Sequence, residues 1–311
     1  MREQRLRLIA AFTAVYVIWG STYLAIRYAI ETIPPYLMAA ARFGSAGAIL
    51  LVLARARGSA WPTGRQWGVA LLSGALFLAG GIGGVCWVEQ RVPSGLTALI
   101  VGAGPLVTVF VDWLRPGGSR PDATTSAGLV LGFGGVALLI NPGATDAARV
   151  EPAGALVLIG AVLSWAIGTV YTKHVHGAPS RLMGSGASML MGSGVLLLIA
   201  ALLGETSGFA PLRVSGRSLV ALAYLVAFGS VIAFTAYFWL LQHTTPAKAT
   251  TYAYVNPILA LLLGWAVAGE PVTSRVVLAG AVIVSAVLVV TALPHARSRL
   301  AARRPEADPA A

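Results

Sequence analysis

The chain has 311 residues, of which 57% are hydrophobic and only 11% charged, with a mean hydropathy of +0.79. Soluble domains carry about 25% charged residues, so a water-soluble fold of this size is excluded. The net charge of +11 does not indicate nucleic acid, because the basic residues are scattered over short loops and one tail rather than gathered in a globular domain.

A bilayer accepts this composition. Helical spans need roughly 20 apolar residues, and these runs are continuously apolar, without the alternation of an outer-membrane barrel. The first half contains five predicted spans: Leu8–Tyr28, Pro35–Ala54, Trp67–Val88, Ser94–Leu114 and Thr124–Asn141. The second half has Ala153–Lys173, Leu182–Leu203, Ser218–Leu241, Ala247–Ala268 and Thr273–Leu293. Turn residues separate them, among them Ile33-Pro34-Pro35, Trp61-Pro62, Val92-Pro93, Asn141-Pro142-Gly143 and Glu270-Pro271. The first run is long, lacks a small-residue cleavage site and reads as a retained start-transfer helix. The residues from His295 onward are basic and then Pro/Ala-rich, which predicts a disordered tail.

Lysine and arginine set the orientation. Fifteen lie on one side of the ten predicted spans, including Arg55, Arg57, Lys173, Arg181 and Lys248. Six lie on the other: Arg27, Arg91, Arg149, Arg213, Arg217 and Arg275. Both termini are therefore expected in the cytoplasm, which requires an even number of spans.

The second five spans repeat the first. Trp19 pairs with Trp165 at an offset of 146, while Trp87 with Trp239 and Trp113 with Trp265 share an offset of 152. Pro105 and Pro257 share that offset, as do Gly128 and Gly280. A repeat of five spans must insert its second copy upside down, the construction of many secondary transporters. The expected fold is an all-α membrane protein of ten transmembrane helices, arranged as two inverted five-helix repeats around a central cavity. Its expected units are residues 1–146, 147–295 and a cytoplasmic tail, 296–311.

Trp19-Gly20-Ser21-Thr22-Tyr23, then Pro34-Pro35 and Arg42-Phe43, resemble the first EamA repeat of the drug/metabolite transporter superfamily. Asn256-Pro257, Gly269-Glu270 and Gly280 resemble the second. The resemblance implies a ten-helix exporter or facilitator of small metabolites, with a cavity between its halves. Amino-acid exporters, aromatic ones included, belong to that family. One departure is that Arg115-Pro116-Gly117-Gly118 replaces the Gly-Glu that often closes the fourth helix. Glu270 is thus left without a partner by pseudo-symmetry.

Several residues are candidates for the site. Pro105 and Pro257 fall near the middle of spans four and nine, where proline removes a backbone hydrogen bond. They serve as hinges and cavity-lining breaks, or only shape packing. Arg42, inside span two, attracts an anionic group of a solute, or pairs with Glu89 or with backbone carbonyls. Tyr16, Trp19 and Tyr23 share one face of span one, and Trp165 and Thr169 the matching face of span six. Tyr252 and Asn256 align in span nine. Aromatic walls with a few hydroxyls suit small amphipathic solutes, although such stripes also simply pack. Gly80 with Gly84 and Gly128 with Gly132 allow close helix approach.

Asp112 and Glu89 both lie near span ends, so no carboxylate occupies the midplane. This favours facilitated diffusion or exchange over proton antiport, with Asp112 as the candidate coupling group. The single cysteine, Cys86, makes no intramolecular disulfide, and no metal or cofactor is expected. No Asp-rich pair, His-Glu-x-x-His or Gly-x-Ser-x-Gly supports an integral-membrane enzyme, and the polar lining is thin for a channel. The expected partners are a small-molecule substrate, an amino acid or related metabolite, and membrane lipid, with no nucleic acid. The expected protein is a monomer or dimer in the bacterial inner membrane.

Overall fold

The computed structural model describes residues 2–118, 120–140, 150–175, 178–244, 248 and 251–301. The turn at Asn141-Pro142-Gly143, Arg149, His176, the expected start of span nine at Ala247 and residues 302–311 lie outside the described residues. All regular structure described is helical.

In chain order the helices are α1 (Arg2–Ala29), α2 (Pro35–Ala56), α3 (Gly64–Val88), α4 (Ser94–Leu114) and α5 (Ala123–Ile140). The second half has α6 (Pro152–His174), α7 (Arg181–Leu202), α8 (residues 216–243), α9 (Tyr252–Ala268) and α10 (Ser274–Ala301). Nine of the ten are long and apolar enough to cross a bilayer. The tenth, α9, is shorter among the described residues, with 17 of them. The helix α10 runs on to Ala301, through the first residues of the expected tail.

Local chemistry sets the boundaries. Pro35 and Pro152 occupy first turns, where the missing N–H has no intrahelical role. Thr63 and Gln66 close a capping box at the start of α3. Ser180 and Ser215 accept from the backbone three residues on, at the starts of α7 and α8. The outward faces are apolar and exposed, at Val52, Val130, Leu156, Leu202 and Val220 among others, as a lipid-facing surface requires.

Three helices depart from a regular ladder. The helix α4 breaks at Ala103, two residues before Pro105. Residues Ala75–Gly83 of α3 and Leu225–Ile232 of α8 are π-helical, at nearly matching places in the two halves. Such stretches cluster at functional sites because they leave carbonyls outside the usual ladder.

The packing is reciprocal. The helix α1 packs on α8 and α9, and α6 correspondingly on α3 and α4. The helix α3 packs on α7 as α8 does on α2, while α2 meets α7, α4 meets α9, and α5 meets α10. Small residues permit these contacts. A Cβ on Gly47 of α2 would stand 2.7 Å from the backbone nitrogen of Leu190 and 2.9 Å from the carbonyl of Gly186 on α7. Gly80 and Gly84 face α6, Gly128 faces α10, and Gly132 faces Leu106 of α4 and Ala286 of α10, so these glycines do serve close approach. Gly47→Leu is expected to push α2 off α7 and to lose about 1–3 kcal/mol, the usual cost of overpacking. Thermal unfolding of the detergent-purified variant checks this.

Candidate functional site

The two halves enclose a cavity of about 1050 Å³, at the upper end of the ~300–1,000 Å³ usual for small-molecule sites. It opens where Gln66, Ala178, Ser180 and Arg181 line it, at the basic end of the helices, where Arg55, Arg57, Arg65 and Lys173 also lie. Its floor, formed by Ile26, Arg42, Val85 and Ala98, lies towards the opposite end.

The structure brings most of the candidate residues to this one space. Trp19, Tyr23, Arg42, Trp165, Thr169, Tyr252, Asn256, Pro105 and Pro257 all line it. Tyr16 stands apart: its hydroxyl is hydrogen-bonded to Thr251 and its ring lies 5.8 Å from Phe12. Asp112 lies in a side pocket of about 420 Å³ with Arg120, Asp122 and Lys173, and is 3.5 Å from Arg115. Thr108 and Thr169 line both spaces.

Trp19 is the centre of an aromatic wall. Its ring centroid is 4.7 Å from Tyr252, 5.2 Å from Phe234 and 5.3 Å from Tyr237, drawn from α1, α8 and α9. Its indole N–H donates to the carbonyl of Gly229, inside the π-helical stretch of α8, at 3.2 Å. In the other half, Ser164 of α6 donates to the carbonyl of Leu76 in the π stretch of α3 at 2.8 Å. The neighbouring Trp165 packs edge-on against Phe77 at 4.9 Å. Each irregular stretch is thus held by the first helix of the other half.

Arg42 is 4% exposed at the cavity floor. Its Nε donates to Ser230 Oγ at 3.0 Å, and its guanidinium lies 4.7 Å from the Phe43 ring. The expected alternatives of Glu89 or a backbone carbonyl as its partner are replaced by this serine, and Nη1 has no partner. Asn256 Oδ1, also buried on the lining, has none either. Arg42 and Arg181 are the charged residues of the described lining, so its potential is positive. Gly102 of α4 is where α9 crosses: a Cβ there would stand 2.5 Å from the Pro257 ring. The break beside Pro105 and the proline of α9 therefore meet at the back of the cavity.

The end opposite the opening is closed by Glu270, which is 4% exposed. The helix α9 ends at Gly269 in the left-handed conformation (φ 65°), and the N–H of Glu270 returns to the carbonyl of Gly264 at 3.0 Å. That turn sends the side chain onto the start of α4. Glu270 Oε1 accepts from the Ser94 N–H at 2.8 Å, the Ser94 hydroxyl at 2.9 Å and Arg27 Nη1 at 3.0 Å. Its Oε2 accepts from the Gly95 N–H at 2.9 Å. Sequence reasoning assigned Glu270 no role, since its partners stand far off in the chain.

Comparison with known proteins agrees with this architecture. The model of the EamA-like transporter family matches twice, over residues 6–141 and 152–292. The chain belongs to that family. It is 39% identical over 290 residues to a protein of Escherichia coli (strain K12) named as an uncharacterized inner membrane transporter, YedA, covering 93% of this chain and 92% of that protein. It is 25% identical to the uncharacterized transporter YvbV of Bacillus subtilis (strain 168), over 96% and 95% of the two chains. Protein PecM of Dickeya dadantii (strain 3937) is 28% identical over 80% of each. A solved crystal structure superposes with a TM-score of 0.60 at 20% identity, covering 94% of this chain and 99% of that one. At that identity the likeness concerns the fold alone.

Ser230 is the described partner of a buried cation, and hydrogen bonds to charged groups contribute about 1.5–3 kcal/mol. Ser230→Ala is expected to lose stability in that range, whereas Ser21→Ala, whose hydroxyl shares Tyr224 and a carbonyl, is expected to lose less. Melting temperatures of the two purified variants check the order.

Proposed function

We propose that this protein is a carrier of the bacterial inner membrane that exports small metabolites, or lets them pass, by alternating access, and that its substrates are amino acids, aromatic ones among them. The observation that carries the reading is the pair of unsatisfied polar atoms on one buried lining: Arg42 Nη1, a donor, and Asn256 Oδ1, an acceptor. A zwitterion answers both, its carboxylate taken by the guanidinium and its ammonium by the amide oxygen. The rings of Trp19, Tyr252, Phe77 and Trp165 suit an apolar or aromatic side chain between them. The YedA name, an inner membrane transporter, supports the location.

The two halves, residues 1–146 and 147–295, are read as inverted copies related by an axis in the membrane plane. The reciprocal helix contacts and the double family match support this. Both termini are read as cytoplasmic on the lysine and arginine count. The cavity then opens inward and stands ready to load from the cytoplasm. Pro105 and Pro257, meeting where α4 crosses α9, act as the hinge about which it changes sides. An integral-membrane enzyme is not favoured by any group on this lining.

The test is counterflow of radiolabelled phenylalanine into proteoliposomes preloaded with the unlabelled amino acid. Saturable counterflow is expected. Arg42→Gln is expected to weaken it roughly ten- to hundredfold, the worth of one charge-assisted hydrogen bond. Phenylethylamine, which lacks the carboxylate, is expected to compete poorly with the parent protein. Absence of counterflow for every amino acid tried would overturn the substrate assignment.

A further inference from the structure

Glu89, one residue beyond α3, is the buried acid that the cavity does not use. It is 3% exposed, and neither carboxylate oxygen has a hydrogen-bond partner. Both nearby cations are engaged elsewhere: Arg27 donates to Glu270 at 3.0 Å, and Arg42 donates to Ser230. No ion pair joins Arg42 or Arg27 to Glu89 among the described residues. An ionised carboxylate left without donors in such a place is costly, so the neutral acid is the form this arrangement accommodates. The next two residues, Gln90 and Arg91, are exposed, so solution at that end is two residues away.

The groups around Glu89 come from every neighbouring element. Tyr23 and Arg27 approach from α1, and Arg42 from α2. Glu270 faces it from the α9–α10 turn, and Cys86 from its own helix. Tyr36 and Glu205 stand around Cys86. The helix α6, packed along this part of α3, carries Tyr171, Lys173 and His174, all towards its far end, and Glu151 before its first turn is exposed. The acid therefore sits inside the same closure that Glu270 ties together, beside the cavity floor but outside its lining.

We propose that Glu89 is a proton-binding site built into this closure, holding a proton while the end is sealed and releasing it to the adjoining solution when the end opens. The step breaks only the carboxyl O–H bond; the proton passes to water, and the carboxylate left behind is hydrated in the open form. One proton is taken up each time the end seals again. Since the sealed form binds the proton, acid favours sealing, and rising pH favours opening, by up to tenfold per pH unit. This rests on the alternating-access reading above, but not on the identity of the solute. It also replaces Asp112, ion-paired to Arg115 in the side pocket, as the group through which protons act on this protein.

Cys86 supplies a native reporter: it is the sole cysteine, fully buried, and one helical turn before Glu89. The experiment measures its labelling by a small maleimide in proteoliposomes from about pH 5.5 to about pH 8.5. Rates are divided by those of free N-acetylcysteine to remove the thiol's own pH dependence. The parent protein is expected to show a normalised rate that climbs with pH, approaching tenfold per unit. Glu89→Gln, a fixed neutral mimic, is expected to be slow and flat, while Glu89→Asp keeps a slope. Equal slopes in the parent and Glu89→Gln, or no labelling of either at any pH, would overturn the coupling. Infrared difference spectra between the two pH limits provide a second readout that does not depend on opening. A carboxylic-acid carbonyl band present in the parent and missing in Glu89→Gln is expected; its absence from the parent would overturn the proton site. Neither measurement needs a transported solute, so failed phenylalanine counterflow with a positive result here would refute the substrate and not the proton site.

Discussion

The organisation of this protein depends on a buried carboxylate at a helix start. Removing Glu270 from water carries a desolvation cost of several kcal/mol, which an excellent set of donors must offset. Four are present: two backbone N–H groups and a hydroxyl at the first turn of α4, and the guanidinium of Arg27. The partial positive charge of the helix start adds to them. Because Glu270 hangs from the end of α9 and Arg27 from the end of α1, this interaction ties three helices at one point. Seen through the repeat, the corresponding position in the first half is Gly118, which has no side chain to tie the basic end in the same way. One end is fastened and the other is open.

The cavity that results is shaped by irregular backbone. Helices that span a bilayer must satisfy their own carbonyls, and departures are tolerated only where protein or a cavity receives them. The π stretches of α3 and α8 meet this condition through Ser164 and Trp19, each reaching from the first helix of the opposite half. Trp19 therefore has two duties, fixing an irregular turn and presenting its ring to the aromatic wall. Arg42 would be costly at such depth without Ser230 and the Phe43 ring beneath it. With them it keeps one donor free above the floor, in a lining that carries no described acid.

The ten helices were legible in the sequence because continuous apolar length is a local signal, interrupted by Pro and Gly turns. The cavity side chains were largely legible too: Trp19, Tyr23, Trp165, Thr169, Tyr252 and Asn256 share helix faces, and faces follow from spacing. Tyr16 obeys the same spacing yet sits one turn too far towards the basic end, where it bonds Thr251 instead. What spacing does not carry is contact across the chain. Glu270 meets Ser94 across 176 residues, and Arg42 meets Ser230 across 188. Spacing places Glu89 only near the end of a span, and the packing of α1, α2 and the α9–α10 turn around it makes it buried. The π stretches leave no pattern in composition beyond glycine and alanine runs that equally suit ordinary helix packing.

The central claim is that the cavity communicates with one face of the membrane while Glu270 closes the other. It is tested most directly by placing a cysteine at Ser188, on the cavity lining, in a Cys86→Ser background, and labelling it with a membrane-impermeant maleimide from each side. Exposed reference cysteines at Arg57 and Gln90 report the basic end and the opposite end. The account predicts labelling of position 188 from the side of position 57 alone, with access from the side of position 90 appearing when Glu270→Gln is added. Labelling from the side of position 90 with Glu270 intact, or no change on its replacement, would contradict it.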